Sequence, residues 1–328
     1  SKLFVPGNRP ALFAKALASA AEMLSFDLED AVAGDDKGAA RTQVAALLRG
    51  VPHRAADKQV VVRVNAWHTS GWEDDLRAIL PLDIDLLNLP KIESVEQLRQ
   101  AIGEIEAVEL QLGLRRAVGL LINIETPRAL RHAAQIARAH PRVRGLQLGL
   151  GDLFEPHGIR RADLRNVHAA QYALRMAAAE AGVFAYDAAF PGLDDEAGFM
   201  AEADSARALG FAGKSCVHPR QVAWANAAFS PSEEEIEAAR RIVHPAAALK
   251  HGEQFALGRP HGDAPVPRLA APDAAEHLPG GQTGLDQVPG FAQRVAAQQG
   301  AAVFGMAHGC CDLILLLSIA PAALHSRR

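Results

Sequence analysis

Charged and amide side chains recur directly after short apolar runs in the first 218 residues of the chain. A single polar residue in such a place is usually a solvated loop residue or a helix cap. Polar residues after seven separate runs are harder to explain in that way if the runs are strands whose ends converge. The positions concerned are Glu29, Asp30, Arg63, Asn65, Lys91, Glu125, Asp152, Asp187, Ser215 and His218.

Two of these carboxylates, Glu125 and Asp152, follow consecutive apolar runs without a cluster of cysteine or histidine around them. Oxygen ligands of this kind suit a hard cation, and Mg²⁺ takes one or two protein carboxylates while keeping several waters. We therefore predict a shared Mg²⁺ site. Glu125 also precedes Thr126-Pro127, which predicts a helix that has Thr126 as its N-cap and Pro127 at its first position. The helix start and the metal site are compatible.

Arg63 lies in the otherwise apolar run 60–64, where an unpaired guanidinium would be costly to bury. One interpretation is a structural ion pair with Asp27, Glu29 or Asp30. The other is that Arg63 binds the carboxylate of a substrate, or an oxygen that becomes negative during reaction. Both interpretations stay open at the level of sequence.

The remaining candidates have equally plain structural interpretations. Asp187 would bind substrate or pair with a neighbouring backbone amide. His218 precedes Pro219, so it is a candidate for substrate binding or for capping a helix. Cys216 lacks the partners of a catalytic cysteine and is expected to be a small buried apolar residue.

Alternation of apolar runs with helical stretches predicts a (β/α)₈ barrel, that is, a TIM barrel. A doubly wound sheet is the competing fold, but Val5 is followed by Pro-Gly-Asn-Arg-Pro rather than by a glycine-rich phosphate loop. The pair Gly149 and Gly151 lacks the third glycine of a dinucleotide-binding motif. Predicted strands are Leu3–Val5, Met23–Leu28, Val60–Val64, Leu86–Leu89, Val118–Ile124, Gly145–Leu150, Val183–Tyr186 and Gly213–Val217. Predicted helices are Ala11–Ala21, Gly38–Leu48, Gly71–Leu80, Val95–Val108, Pro127–Ala139, Leu164–Ala181, Ala197–Leu209 and Arg220–Phe229.

The character of the chain changes after this repeat. Ser230-Pro231-Ser232 and the three glutamates that follow predict one more helix start. Beyond Pro245 the sequence is rich in alanine, proline, glycine and histidine, with poor periodicity. We predict a barrel domain over residues 1–243 and a C-terminal extension, a lid or an irregular tail, over residues 244–328.

Bulk composition excludes several classes of protein. The net charge is −4 and no basic stripe occurs, which argues against nucleic-acid binding. The three cysteines form no disulfide framework, and the longest apolar stretch, Leu313–Ala320, is too short to span a bilayer. The first residues enter a strand-like run without a charged leader. We expect a cytoplasmic protein that does not bind membranes.

Several motifs follow one another along the chain. They are Leu3-Phe4-Val5-Pro6-Gly7-Asn8-Arg9-Pro10, Asp27-Leu28-Glu29-Asp30-Ala31-Val32 with Lys37 and Arg41, Val62-Arg63-Val64-Asn65, Leu89-Pro90-Lys91-Ile92-Glu93, Ile124-Glu125-Thr126-Pro127, Gly149-Leu150-Gly151-Asp152-Leu153 and Cys216-Val217-His218-Pro219. In this order and spacing they resemble the citrate lyase β-subunit-like branch of the HpcH/HpaI aldolase superfamily, which includes malyl-CoA, citramalyl-CoA and citryl lyases. The resemblance covers about residues 1–243.

This resemblance implies a Mg²⁺-dependent lyase that splits a short 3-hydroxyacyl-CoA into a 2-keto acid and an acyl-CoA. It implies Mg²⁺ at Glu125 and Asp152, with Arg63 on the keto acid or the reacting carbonyl. Arg9 and Lys91 would belong to the same barrel mouth, and the strand-2 acids Glu29 and Asp30 would position them or metal-bound water. We count Arg63, Glu29, Asp30 and Lys91 as catalytic, and Arg9, Arg63, Asn65, Asp187 and His218 as substrate-binding. A homo-oligomer, a trimer or a multiple of it, is also implied.

One family feature is missing. Members often carry a C-terminal lid with a Gly-Lys-Met-Ile-Asp-like motif that supplies a catalytic acid to the neighbouring subunit, and no such motif follows Val243. Two alternatives therefore stand beside the lyase. One is a thioesterase for malyl-CoA-like substrates, and the other is a citrate lyase β-like subunit that needs an acyl-carrier partner. A phosphoenolpyruvate-type barrel is a further, weaker alternative.

Overall fold

The structure confirms the predicted barrel. It is a computed structural model that describes residues 1–50 and 58–237. Eight strands close into a barrel in sequence order, each paired in parallel with the next and β8 paired with β1. The strands are β1 (Lys2–Pro6), β2 (Met23–Asp27), β3 (Gln59–Arg63), β4 (Leu86–Leu89), β5 (Gly119–Ile124), β6 (Val143–Leu148), β7 (Phe184–Asp187) and β8 (Gly213–Cys216).

Helices follow the strands within the described ranges. They are α1 (Phe13–Leu17), α2 (Lys37–Gly50), α3 (Trp72–Ile79), α4 (Val95–Gln111), α5 (Pro127–Arg131), α6 (Ala133–Arg138), α7 (Leu150–Phe154), α8 (Leu164–Ala181), α9 (Glu196–Ala208) and α10 (Pro219–Phe229). Short 3-10 turns cover Pro10–Leu12, Gly34–Asp36 and Glu155–His157. The predicted helix 127–139 is divided at His132, whose φ of −103° and ψ of 9° are not helical. Helix α7 was not predicted, because it has only five residues and only Gly149 separates it from β6.

Side chains of the strands alternate between the barrel lumen and the outer layer that packs on the helices. Leu3 and Val5 of β1 belong to the large outer core. The lower lumen holds a second, small apolar cluster made of Met23, Val61, Leu86, Leu121 and Tyr186. The polar residues that face the lumen therefore lie between this apolar cluster and the carboxyl ends of the strands.

Residues 1–230 form one compact unit, and the unit that follows begins at Pro231. Of this following unit, residues 231–237 are described. There the predicted helix start is present, because Ser232 and Glu235 each accept a hydrogen bond from the other's backbone N–H, at 3.2 and 2.7 Å. The extension expected over residues 244–328, and the boundary at 243, lie outside the described residues and stay predictions. In the part of the chain that is described, no helix is both long and apolar enough to cross a membrane.

Candidate active site

Arg63 at the end of β3 is bonded to all three acids that the sequence offered as partners. Its Nε and Nη2 donate to the two carboxylate oxygens of Asp27 at 2.7 and 2.6 Å. Its Nη1 lies 3.0 Å from Glu29 and 3.1 Å from Asp30. Burial disfavours the charged form, but the hydrogen bonds and charge of Asp27 outweigh it and raise the pKa of Arg63 above its ordinary value. The guanidinium is thus permanently charged and firmly placed.

Asp27 was named in the sequence analysis only as a possible ion-pair partner of Arg63, and not among the residues of the site. It is buried at the end of β2, directly beside Arg63 in the strand register. Its carboxylate also accepts the backbone N–H groups of Glu29 and Ala31, each at 3.0 Å. Asp27 therefore orients both Arg63 and the loop that carries Glu29 and Asp30. A carboxylate in the last position of the strand, two residues before Glu29, was the available signal.

Lys91 joins the acids of strand 2 to the predicted metal ligands. Its Nζ lies 3.2 Å from Glu29, 3.4 Å from Asp30 and 3.6 Å from Asp152. Its backbone N–H donates to Oε1 of Glu125 at 2.7 Å. Lys91 adopts a φ of +57°, in the left-handed region that residues with a side chain seldom occupy. The left-handed turn lets one residue contact Glu125 through its backbone and Asp152 through its side chain.

Glu125 and Asp152 differ in exposure. Glu125 is buried, while the side chain of Asp152 is 47% exposed. Burial and, less strongly, the charge of Asp152 raise the pKa of Glu125, whereas the Lys91 N–H and the charge of Arg63 lower it. Gly149 makes room for this carboxylate, because a Cβ at that position would stand 2.5 Å from Cβ of Glu125. The Glu125 oxygens also reach Asn123, whose Nδ2 donates at 3.1 Å.

These contacts join five carboxylates and two cations into one cluster with surplus negative charge. The cations are Arg63 and Lys91, and the carboxylates are Asp27, Glu29, Asp30, Glu125 and Asp152. A hard divalent cation would balance this negative charge. The space that Gly149 leaves open is occupied by the Glu125 carboxylate, an oxygen ligand, so the residues fit Mg²⁺. Over residues 1–50 and 58–237, no three His, Cys, Asp or Glu side chains are arranged to enclose a metal. Two carboxylates with waters and substrate oxygens are enough for Mg²⁺.

Asn65 lies next to this cluster, but its side chain is engaged by the protein. Its Nδ2 and its backbone N–H both donate to Asp75, at 2.7 and 2.8 Å. Its Oδ1 accepts from Nζ of Lys37, which also bonds the backbone carbonyl groups of Leu28 and Glu29 at 3.3 and 3.2 Å. The structure therefore assigns Asn65 to linking the loops that follow β2 and β3.

Asp187 is not brought to the mouth. Tyr186 of β7 faces the lumen, so Asp187, one position on, faces the outer layer. There it is fully buried, with Lys214 Nζ at 2.6 Å and Gln171 Nε2 at 3.1 Å. Gln171 and Lys214 hold its two oxygens, in a network that also includes Glu202, so this geometry does not support the predicted role of Asp187 in substrate binding.

His218 and Arg9 also stand apart from the carboxylate cluster. His218 is exposed and caps α10, where its Nδ1 accepts the backbone N–H of Arg220 at 3.2 Å. This is the capping interpretation that the sequence left open. Arg9 is exposed in the loop after β1, immediately before the 3-10 turn at Pro10. It lies at the same end of the barrel as the site, and its contact with substrate stays a prediction.

The left-handed backbone at Lys91 gives a stability prediction. Lys91→Ala and Lys91→Gly remove the same ion pairs, but only glycine accepts a φ of +57° without strain. We expect Lys91→Gly to be more stable than Lys91→Ala by about 1 kcal/mol in chemical denaturation. The same pair of changes at Lys15, inside α1, is the control and should favour alanine by a similar amount. Equal stabilities of the two Lys91 variants would contradict strain at this position.

Glu29 gives a prediction on pH. Burial above all raises the pKa of its carboxyl from 4.5 to about 7. Between these values the folded protein holds a proton that the unfolded chain lacks, so the contribution of Glu29 to stability falls as pH rises from about 4.5 to 7. Relative to wild type, Glu29→Gln should gain roughly 1–3 kcal/mol in free energy of unfolding between pH 5 and pH 8. A difference that is constant with pH would refute the raised pKa.

Comparison with known proteins identifies the family to which the chain is similar. The family model HpcH/HpaI aldolase/citrate lyase matches residues 1–219. Citrate lyase subunit beta of Leuconostoc mesenteroides subsp. cremoris is 33% identical over 260 residues, 78% of this chain and 84% of that protein. An L-malyl-CoA/beta-methylmalyl-CoA lyase of Cereibacter sphaeroides is 31% identical over 263 residues, 74% of this chain and 82% of that one. The structure of CitE from Mycobacterium tuberculosis with magnesium, acetoacetate and coenzyme A has a TM-score of 0.60 at 32% identity. The match covers 77% of this chain and 89% of that one.

Proposed function

The chain belongs to the HpcH/HpaI aldolase/citrate lyase family, a family of carbon–carbon lyases, and we propose that it cleaves a short 3-hydroxyacyl-CoA with the help of Mg²⁺. Malyl-CoA and citramalyl-CoA are the substrates we favour, with a 2-keto acid and an acyl-CoA as products. The observation that carries the proposal is the surplus of carboxylates around Lys91 and Arg63, with Glu125 and Asp152 both in contact with Lys91. The relatives named above support it, because they include a malyl-CoA lyase and a protein bound to magnesium and coenzyme A.

The reaction makes definite demands on the site. The hydroxyl of the substrate loses its proton and its oxygen becomes the carbonyl of the keto acid. The bond between that carbon and the α-carbon of the thioester breaks, and its electron pair becomes a thioester enolate that a proton then converts to the acyl-CoA. When bound, Mg²⁺ supplies Lewis-acid stabilisation of negative charge on oxygen, worth several kcal/mol.

The chain's own residues meet the other demands. Arg63 has five N–H donors, and hydrogen bonds to Asp27 and Asp30 use three of them, while Nη1 also pairs with Glu29 at 3.0 Å. The second N–H of Nη2 has no hydrogen-bond acceptor among the described residues and can donate to a substrate oxygen that gains charge. Glu29, with a pKa of about 7, can exchange a proton near neutral pH, as a general base for the hydroxyl must. Lys91 holds Glu29 and Asp30 in place by ion pairs.

Release of glyoxylate or pyruvate from malyl-CoA or citramalyl-CoA, with MgCl₂ and with excess chelator, tests the proposal. We expect keto acid to form only with the metal, in stoichiometric amounts with acetyl-CoA. Free thiol without keto acid would identify the thioesterase instead. Cleavage of a citryl thioester on an acyl-carrier protein, with no cleavage of free CoA esters, would identify the carrier-dependent subunit. Absence of all three activities would refute the proposal.

The assembly and the location stay predictions. A homo-oligomer, trimeric or a multiple of that, is checked by light scattering on the purified protein. Cytoplasmic location is checked by fractionation of cells that express the chain.

A further inference from the structure

The ring of Phe4 occupies an unusual place for a phenylalanine. Its strand alternates, with Leu3 and Val5 in the outer core and Lys2 and Phe4 on the lumen side. Neither apolar cluster of the described residues includes Phe4, and the ring is partly exposed rather than buried. Hydrophobic packing alone therefore does not account for the position of this ring.

Two cations lie over the ring instead. The guanidinium carbon of Arg63 is 5.2 Å from the ring centroid, and Nζ of Lys2 is 4.4 Å from it. Both distances are within the roughly 6 Å over which the ring quadrupole attracts a cation. Lys2 is fully buried, and its Nζ also donates to Oε1 of Gln147 on the far side of the lumen. Burial above all, and then the charge of Arg63, lower the pKa of Lys2.

The contacts of Arg63 complement one another. The acids Asp27, Glu29 and Asp30 bind its N–H groups, and these contacts lie along the edges of the guanidinium. Hydrogen bonds along the edges restrain the guanidinium more strongly within its plane than perpendicular to it. The Phe4 ring is the described contact on the guanidinium's face.

We infer that Phe4 is a positioning residue that holds the plane of Arg63 through a cation–π contact, so that the free Nη2–H points at the reacting oxygen. The expected effect of Phe4 on turnover rests on the proposed function. The contact itself is a property of the folded chain. Loss of the ring quadrupole should reduce turnover. The affinity for acyl-CoA should change little, because Phe4 acts through Arg63 and not through a contact with coenzyme A.

A graded test separates electrostatics from size. Replacement of Phe4 by phenylalanine with one, two and three ring fluorines weakens the quadrupole stepwise with almost no change in volume. We expect log kcat to fall steadily with fluorine number, to a total loss of about 3–30-fold, at constant KM. The same series at Phe13 is the matched control and should show no trend in kcat. The centroid of the Phe13 ring lies 5.3 Å from that of Phe26, so this ring packs against another ring and not against a cation. A wild-type kcat across the Phe4 series would overturn the inference.

Two further measurements complete the test. Phe4→Leu should cost less in an Arg63→Lys background than in wild type, and equal costs would argue that Phe4 does not act through Arg63. Nitrogen-15 NMR of the Arg63 side chain should show faster rotation of the guanidinium as fluorine number rises, with or without substrate. That trend in a protein without lyase activity would refute the proposed function and support the positioning role. Rotation that does not depend on fluorine would overturn the positioning role, whatever the activity.

Discussion

Replacing Arg63 with methionine is expected to lower kcat/KM by about 10²–10³-fold or more, since removal of a single oxyanion donor already costs that much. The same change should destabilise the protein by about 3–5 kcal/mol, because it leaves Asp27 buried without its bidentate partner. Steady-state kinetics and chemical denaturation measure the two effects. Arg63→Lys should recover part of the stability and little of the activity, because an ammonium cannot reproduce the planar fork of donors.

A double variant distinguishes the two roles of Arg63. Asp27→Asn in the Arg63→Met background removes the unpaired charge and keeps an oxygen for one of the two backbone N–H groups, that of Glu29 or that of Ala31. We expect it to regain part of the lost stability without regaining activity. Activity of Arg63→Met within about threefold of wild type would refute the role of this guanidinium in the reaction.

Glu125→Gln is expected to abolish the Mg²⁺-dependent activity, with a loss of about 10³-fold, because an amide oxygen is a much weaker ligand for a hard cation than a carboxylate. Stability should change little. The glutamine oxygen can still accept the Lys91 N–H, and the variant no longer buries a carboxylate whose pKa is raised by burial. Keto-acid release and thermal unfolding, each followed against MgCl₂ concentration, measure the two outcomes.

A matched control keeps this result specific. Glu155→Gln alters an exposed glutamate three positions after Asp152, and it should leave both activity and Mg²⁺ dependence unchanged. Asp152→Asn should lower the Mg²⁺-dependent activity less than Glu125→Gln does. The side chain of Asp152 is half exposed, so water can replace part of its contribution to metal binding. Full Mg²⁺-dependent activity in Glu125→Gln would contradict the assignment of the metal site.

The sequence predicted the residues of the mouth well because the closed barrel does most of the positioning. Once eight parallel strands close, residues at their carboxyl ends must share one ring, and Arg63, Glu125 and Asp152 come together for that reason. The acids available to Arg63 were also predictable, because a buried guanidinium must be paired. Whether the ion pair of Arg63 is structural or functional could not be predicted from the sequence. The guanidinium pairs with all three acids and still has an N–H group that can donate to a substrate.

Asp187 shows what sequence alone could not resolve. β7 reads Phe-Ala-Tyr-Asp and is covered on both faces, so no alternation of polar and apolar residues tells which side chain faces the lumen. The partner that neutralises Asp187, Lys214, follows 27 positions later, on the neighbouring strand β8. Helix α7 was missed because it is only five residues long, too short to show a helical period, and only Gly149 separates it from β6.

The central claim is that Glu125 and Asp152 hold one hard cation beside Arg63. A crystal structure of the protein grown with MgCl₂ and a 2-keto acid tests it most directly. We expect a single ion with an oxygen of each carboxylate at about 2.0–2.1 Å, and the keto acid within hydrogen-bonding distance of Arg63 Nη2. An ion bound to neither carboxylate, or Glu125 turned away from an ion that Asp152 holds alone, would contradict the account.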